Sequence, residues 1–305
     1  QTGLNLVQAY LHLDRLDEAE ALLDRLYALD MPPFKSHLDT MAAKLQGCRR
    51  ASSHARPLDE DALEIAQLTF ELPIWMYGLR DPEWLFTHKP TDARKVLFLM
   101  LGKVIHGNQQ AENQREDEIG RLSRAIPLYL AESAYEWTRL HAQSLVPVVT
   151  GGGPALFGAQ DEAGERETAI KLAAFAELVV QGSIDDAGDR WQIVLSVRET
   201  STGQSVAREE LETDRNGLEA GVLDLEARVL GHLDTTQMQP HDRIYVRPRL
   251  EQMQPYLNAL AQSLMLGLVA NAILPKQAMW GARNMLEWPL TMRLRWVDLE
   301  TANAL

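Results

Sequence analysis

The sequence predicts an α/β fold: a central domain on a mixed sheet, with repeat-like helical segments at the N- and C-terminal ends. Three observations predict it. From Leu178 to Leu233 an apolar strand ending in Gly182-Ser183-Ile184 is followed by a polar turn, two further strands and an amphipathic helix. Val96 to Leu101 is a continuous apolar run, which requires a strand covered on both faces. Before residue 48 and after Pro248, apolar residues recur at helical spacing.

The first 48 residues read as two helices joined by a turn, then a third helix. Ala19, Leu22, Leu23 and Leu26 share one face of the second, and Phe34, Leu38, Met41 and Leu45 share one face of the third. Pro32 and Pro33 separate them, and Arg49 to Pro57 reads as a linker. Cys48 is a small apolar residue near a helix end, with no signal of an activated thiol.

The central domain spans 58–240. Leu63 to Tyr77 has strand character broken by Pro73, which suits an edge strand or a strand that ends there. Ile119, Leu122, Ile126, Tyr129, Leu130 and Trp137 mark a long amphipathic helix, kinked or restarted at Pro127. A strand from Leu145 to Val149, a glycine loop and a helix from about Glu167 to Ala176 follow. Asp185 to Asp189 carries turn chemistry between the strand at Leu178 and the next, where Trp191, Ile193, Leu195 and Val197 alternate with polar residues. Thr200 to Gln204 turns the chain into the strand Ser205 to Thr213. Leu218, Val222, Leu225, Val229 and Leu233 then lie on one helix face. Helices interleaved with strands, then an antiparallel hairpin, predict a mixed sheet.

The third segment, 247–305, is helical, with Pro255, Pro275 and Pro289 near successive helix starts. Leu257 to Leu274 is the longest apolar region, but Asn258, Gln262, Ser263 and Asn271 interrupt it, so it reads as a core helix and not a membrane span. Trp280, Trp288 and Trp296 read as core residues, the alternative being an exposed recognition stripe.

Two resemblances follow from these patterns. The first two helices resemble one tetratricopeptide repeat through Leu6, Tyr10, Leu16, Ala19 and Leu23, with Asp17-Glu18-Ala19 opening the second helix. The pattern departs at Val7 and Asp14, where small residues are usual, and its closing proline is displaced from Met31 to Pro32. Residues 95–233 resemble the small α/β domain at the N-terminus of TolB and of related bacterial multidomain proteins. Together they imply a bacterial scaffold or regulatory protein acting through protein contacts. The repeat resemblance implies a partner groove at Leu4, Gln8, Leu11 and His12. Leu4 and Gln8 replace the lysine and asparagine that bind a terminal carboxylate in chaperone-type repeats, which argues against that ligand mode. The matched motifs are structural, so no catalytic residue is implied.

Searches for chemistry along the chain converge on the same expectation. Thirty basic and 43 acidic residues give a net charge of -13, which repels phosphate backbones, and Arg243, Arg247 and Arg249 are flanked by Asp242 and Glu251, so nucleic acid is not expected. Eight histidines are scattered singly and one cysteine stands alone, so no metal or cofactor site is expected. The acidic runs Asp59 to Asp61 and Glu116 to Glu118 read as solvating or helix-starting, and no serine lies in a nucleophile motif. Gly151-Gly152-Gly153 is the one loop that can bring backbone N–H groups to a phosphate, but it lacks a following Lys-Ser/Thr, and Pro154 removes a donor.

The expected function is therefore non-catalytic: a scaffold or regulatory protein with protein partners, homo-oligomerisation left open. The alternative is a small-ligand sensor or nucleotide-binding regulatory module that uses Gly151 to Gly153. A lone cysteine and no visible signal peptide favour the cytoplasm, with the periplasm as the alternative if an upstream signal peptide was removed.

Overall fold

The computed structural model describes residues 2–13, 15–28, 34, 37–42, 44–45, 65–78, 89–106, 118–149, 153–185, 190–214, 217–233 and 247–274. The described helices before residue 46 form one unit, and residues 65–274 form a second.

In the first unit, α1 (Thr2–His12) and α2 (Leu16–Ala28) form a helical hairpin. Val7, Ala19, Leu23, Leu38 and Leu45 are its buried residues. The repeat pattern placed Leu6 at a packing position, whereas the helix turns Val7 inward and leaves Leu6 44% exposed. A one-residue shift rotates a helix face by about 100° and exchanges the two roles.

The second unit is built on an eight-stranded mixed sheet. Its main order is β1 (Ile65–Phe70), β4 (His141–Val149), β2 (Lys95–Leu99), β6 (Leu178–Asp185), β7 (Trp191–Glu199) and β8 (Ser205–Thr213). The two-residue strands β3 (Gly102–Lys103) and β5 (Gly153–Pro154) pair with β6 and β4. β2 runs parallel to both neighbours, with Val96 opposite Ala142 on one side and Leu178 on the other. Val96, Leu97 and Phe98 are buried accordingly, as the unbroken apolar run requires. β1 is antiparallel to β4 at one edge and stops before Pro73, after which the chain makes a short 3-10 turn, Ile74–Gly78.

One face is covered by α3 (Glu118–Trp137) and α5 (Leu218–Leu233), and α6 (Met253–Ala270) packs chiefly on α3 and the Ile74–Gly78 turn. Phe98, Val180, Ile193 and Leu195 from the strands, Ile126 and Tyr129 from α3, Val222 and Leu225 from α5, and Leu257 and Leu264 from α6 belong to a single core. The helix read as part of a separate C-terminal segment thus belongs to this unit and its core. Among the described residues no helix is long and apolar enough to cross a membrane.

α3 runs unbroken through Pro127, where a kink or restart was expected. Proline lacks the N–H that would bond the Ser123 carbonyl one turn back. The Leu101 N–H takes that place at 2.9 Å, tying the exit of β2 to the helix. The freed carbonyl is thereby satisfied within the protein.

Among the described residues the other face carries only α4 (Glu162–Lys171), whose Ala169 packs with the following Leu172 and Ala176 on Leu97, Leu145 and Val179. Asp161 caps α4 by accepting from the Gly164 N–H at 2.8 Å, so the helix begins five residues earlier than the apolar spacing suggested. β4 likewise begins at His141 and not Leu145: Gln143 and Ser144 are buried because β1 and β2 flank the strand.

Candidate functional site

One ten-residue helix cannot cover a six-strand face, and the part that α4 leaves open forms a cleft of about 400 Å³. Its floor comes from Leu99 at the end of β2, Leu145 and Pro147 of β4, and Gln181 and Gly182 of β6. Leu172 and Thr168 supply the helix wall, and Phe157 and Phe175 also line the cleft. These two phenylalanines are 44% and 63% exposed, so the apolar surface continues from the cleft into solvent. Close chain approaches shape the site. A side chain at Gly102 would meet the backbone of Ala159 at 2.8 Å, and one at Gly182 would meet the Val194 carbonyl oxygen at 1.8 Å.

A smaller polar hollow of about 270 Å³ lies alongside and shares Gln160 and Glu165 with the cleft. Here β7 turns Ser196 and Arg198 toward α4. The Arg198 guanidinium donates to Glu165 Oε2 through Nη2 at 3.0 Å and Nε at 3.3 Å, and through Nη1 to the Gly203 carbonyl at 3.2 Å. Ser196 Oγ donates to the same carboxylate oxygen at 2.9 Å. Both ions are buried, and such pairs are tolerated only when hydrogen-bonded on this scale. Gly203 holds its turn with φ +67°, the left-handed conformation glycine adopts without strain. Gln181 completes the group, donating from Nε2 to the Glu165 carbonyl oxygen at 2.7 Å.

A second polar cluster lies at the end of α3. Glu132 accepts from Trp75 Nε1 at 3.1 Å and from the Tyr256 hydroxyl, joining the 3-10 turn, α3 and α6. Burial, then the neighbouring Glu132, push the Glu136 carboxyl up to about 7, against the pull of Lys89. Burial brings the Lys89 ammonium down to about 8; its Nζ donates to the Thr138 carbonyl at 2.7 Å and to that of Tyr135, and sits over the Tyr135 ring. Burial also raises the Tyr129 hydroxyl, which donates to Glu226. These groups bind one another and pin helices; they do not converge on the cleft.

The residues expected to meet a partner are distributed otherwise. Leu4 and Leu11 are partly buried against the core of their own unit. Gln8 is exposed, and the His12 side chain lies outside the described residues. Gly151 and Gly152 lie outside them too. Gly153, expected in an open loop, pairs with Val149 as part of β5, and Pro154 pairs with Val148. Among the described residues no group of three His, Cys, Asp or Glu side chains can hold a metal ion. Sequence reasoning missed Gln181, Phe157 and Phe175. Gln181 carried a signal, a large polar side chain inside the run Leu178 to Ile184; the phenylalanines carried none, because an exposed aromatic has no periodicity to betray it.

No protein family matches the chain, and no curated protein does. Among solved structures, a PelC dodecamer from Paraburkholderia phytofirmans is 15% identical, covering 56% of this chain and 97% of that chain, with a TM-score of 0.26. A variant PelC dodecamer from the same organism is 16% identical, covering 57% and 99%, at the same TM-score. Likeness at that level carries no conclusion about the cleft.

Proposed function

We propose that this chain is a non-catalytic regulatory or scaffold protein that works by binding, with the cleft beside α4 as a recognition site. The observation that supports it is the cleft itself: about 400 Å³, lined by leucines, a proline and two half-exposed phenylalanines together with polar side chains. That volume and lining fall within the range of sites that receive small molecules or single large side chains. The acids nearest to it are occupied, Glu165 by Arg198 and Ser196, so the site is suited to holding a group and not to moving a proton.

Neutral aromatic fragments screened by thermal shift test the reading, because binding to the folded state alone raises apparent stability. Fragments that stabilise the chain are expected to lose their effect in Thr168→Trp, which fills the cleft from the helix wall. Persistence of the shift in that variant, with circular dichroism unchanged, places the site elsewhere and defeats the reading.

A second surface is favoured by Leu6 and Leu13, 44% and 66% exposed beside the small core of the N-terminal unit. Helical hairpins of this size are stabilised by stacking against neighbours. A protein partner or another copy of the chain would cover those leucines, and the pair Leu6→Glu, Leu13→Glu would then lower partner recovery or the sedimentation coefficient.

A further inference from the structure

We propose that two copies of this chain pair through the open edge of β1, with Gln67 against Gln67 across a two-fold axis, and so join their sheets into one.

The edge offers backbone groups that β4 does not use. β1 ends the strand order, and its register on β4 is continuous, with Gln67 opposite Pro147. Pro147 has no N–H, and its carbonyl oxygen accepts from the Ala155 N–H at 2.9 Å on the side of β4 where β5 pairs. Pro147 thus gives nothing to β1, so the Gln67 N–H and C=O point away from β4, and those of Ile65 and Thr69 follow by alternation. Among the described residues no turn or loop supplies them with a partner. The next N–H in this series, that of Glu71, donates to the Tyr77 hydroxyl at 2.9 Å, which closes the edge there.

Ile65–Phe70 holds no charge and no proline, so nothing along it opposes a further strand. The opposite edge of the sheet has the guard that β1 lacks. β8 carries Arg208, Glu209, Glu210 and Glu212, and Arg228 donates to the Glu210 carbonyl oxygen at 3.2 and 3.3 Å.

The sequence of β1 selects a second copy as the occupant. Ile-Ala-Gln-Leu-Thr reads alike in both directions by kind: β-branched, aliphatic, amide, aliphatic, β-branched. Antiparallel pairing centred on Gln67 sets Ile65 against the partner's Thr69 and Ala66 against the partner's Leu68. The two Gln67 amides meet at the axis, where each donates and accepts. This register matches every open backbone group with another. A shift by two residues sets one of them against Glu71, whose N–H Tyr77 holds, or against a residue before the strand begins. The axis is normal to the sheet, so both clefts, each lined by its own Gln67, open on the same side.

Sedimentation velocity of the full chain is expected to show a dimer that dissociates on dilution. Gln67 is exposed, so Gln67→Lys and Gln67→Glu are expected to keep the fold, checked by circular dichroism. Each alone is expected to weaken the dimer about tenfold, through the lost amide pair and like charges at the axis, and an equimolar mixture of the two to regain it. The pair Leu6→Glu, Leu13→Glu leaves the dimer intact. A monomer at every concentration of the unmutated chain overturns the proposal. Substitutions at Gln67 without effect place the interface elsewhere and overturn it too, and a mixture that stays weak removes the axis from Gln67. Backbone hydrogen exchange on the unmutated chain decides independently of the variants. The Ile65, Gln67 and Thr69 amides must slow as concentration rises, while those of Ala66 and Leu68, turned toward β4, do not.

Discussion

Single atoms set several features of this molecule. At Gly182 a Cβ would lie 1.8 Å from the Val194 carbonyl oxygen, a backbone atom that cannot swing aside. Gly182→Ala must therefore part β6 from β7, and is expected to cost roughly 3 kcal/mol or more in chemical denaturation. A loss below about 1 kcal/mol would mean that the two strands separate without penalty. The glycine was visible in the sequence as the end of an apolar strand, but the reason for it was not, because the opposing carbonyl comes from a strand a dozen residues on. Pro127 is similar. Its missing N–H is legible in the sequence, while the donor that replaces it belongs to Leu101, and no local pattern connects the two.

Elements were legible where their own residues decided them. The hairpin β6 to β8 and the helix α5 lie where alternation and helical spacing put them, since each buries one face against the same core. The starts of α4 and β4 were misplaced because their first residues are polar. Asp161 begins α4 as a cap, and Gln143 and Ser144 are buried by neighbours unrelated to them in sequence. The end of α3 carries the titration that the fold imposes. The Glu136 carboxyl is raised to about 7 from an ordinary 4.5, so the native state holds its proton more tightly than the unfolded chain. Its contribution to stability is fully present below about pH 4.5 and is lost as pH rises through about 7. Lys89, lowered to about 8, acts oppositely and adds stability as pH rises from 8 toward its ordinary 10.5. Glu136→Gln is thus expected to flatten the fall in stability between pH 4.5 and 7, measured by urea titration across that range. An unchanged slope would show that this carboxyl does not titrate abnormally.

On the scale of the whole molecule, α6 changes how the chain divides. Met253, Leu257, Leu260, Ala261, Leu264, Met265 and Leu268 are buried, in the same core as the sheet. The larger of these side chains contribute about 1.5–3 kcal/mol each by burial, and their sum rivals the 5–15 kcal/mol that holds a typical domain together. Truncation after residue 249 is expected to abolish cooperative thermal unfolding of the α/β unit. A sharp transition retained by the truncated chain would show that the sheet, α3 and α5 suffice. The sequence placed this helix correctly but assigned it to another segment, because helical spacing reveals which face is apolar and not what the face meets.

The parallel placing of β2 also has a consequence in time. Val96 pairs with Leu178, and Ile65 with Val149, partners about eighty residues apart, whereas β6, β7 and β8 pair across short turns. During synthesis the apolar strand at the centre of the sheet leaves the ribosome before β4 and β6 exist to flank it, and before α3 has emerged to cover its face. For that interval Val96 to Leu101 is an exposed apolar run of the kind that chaperones shield.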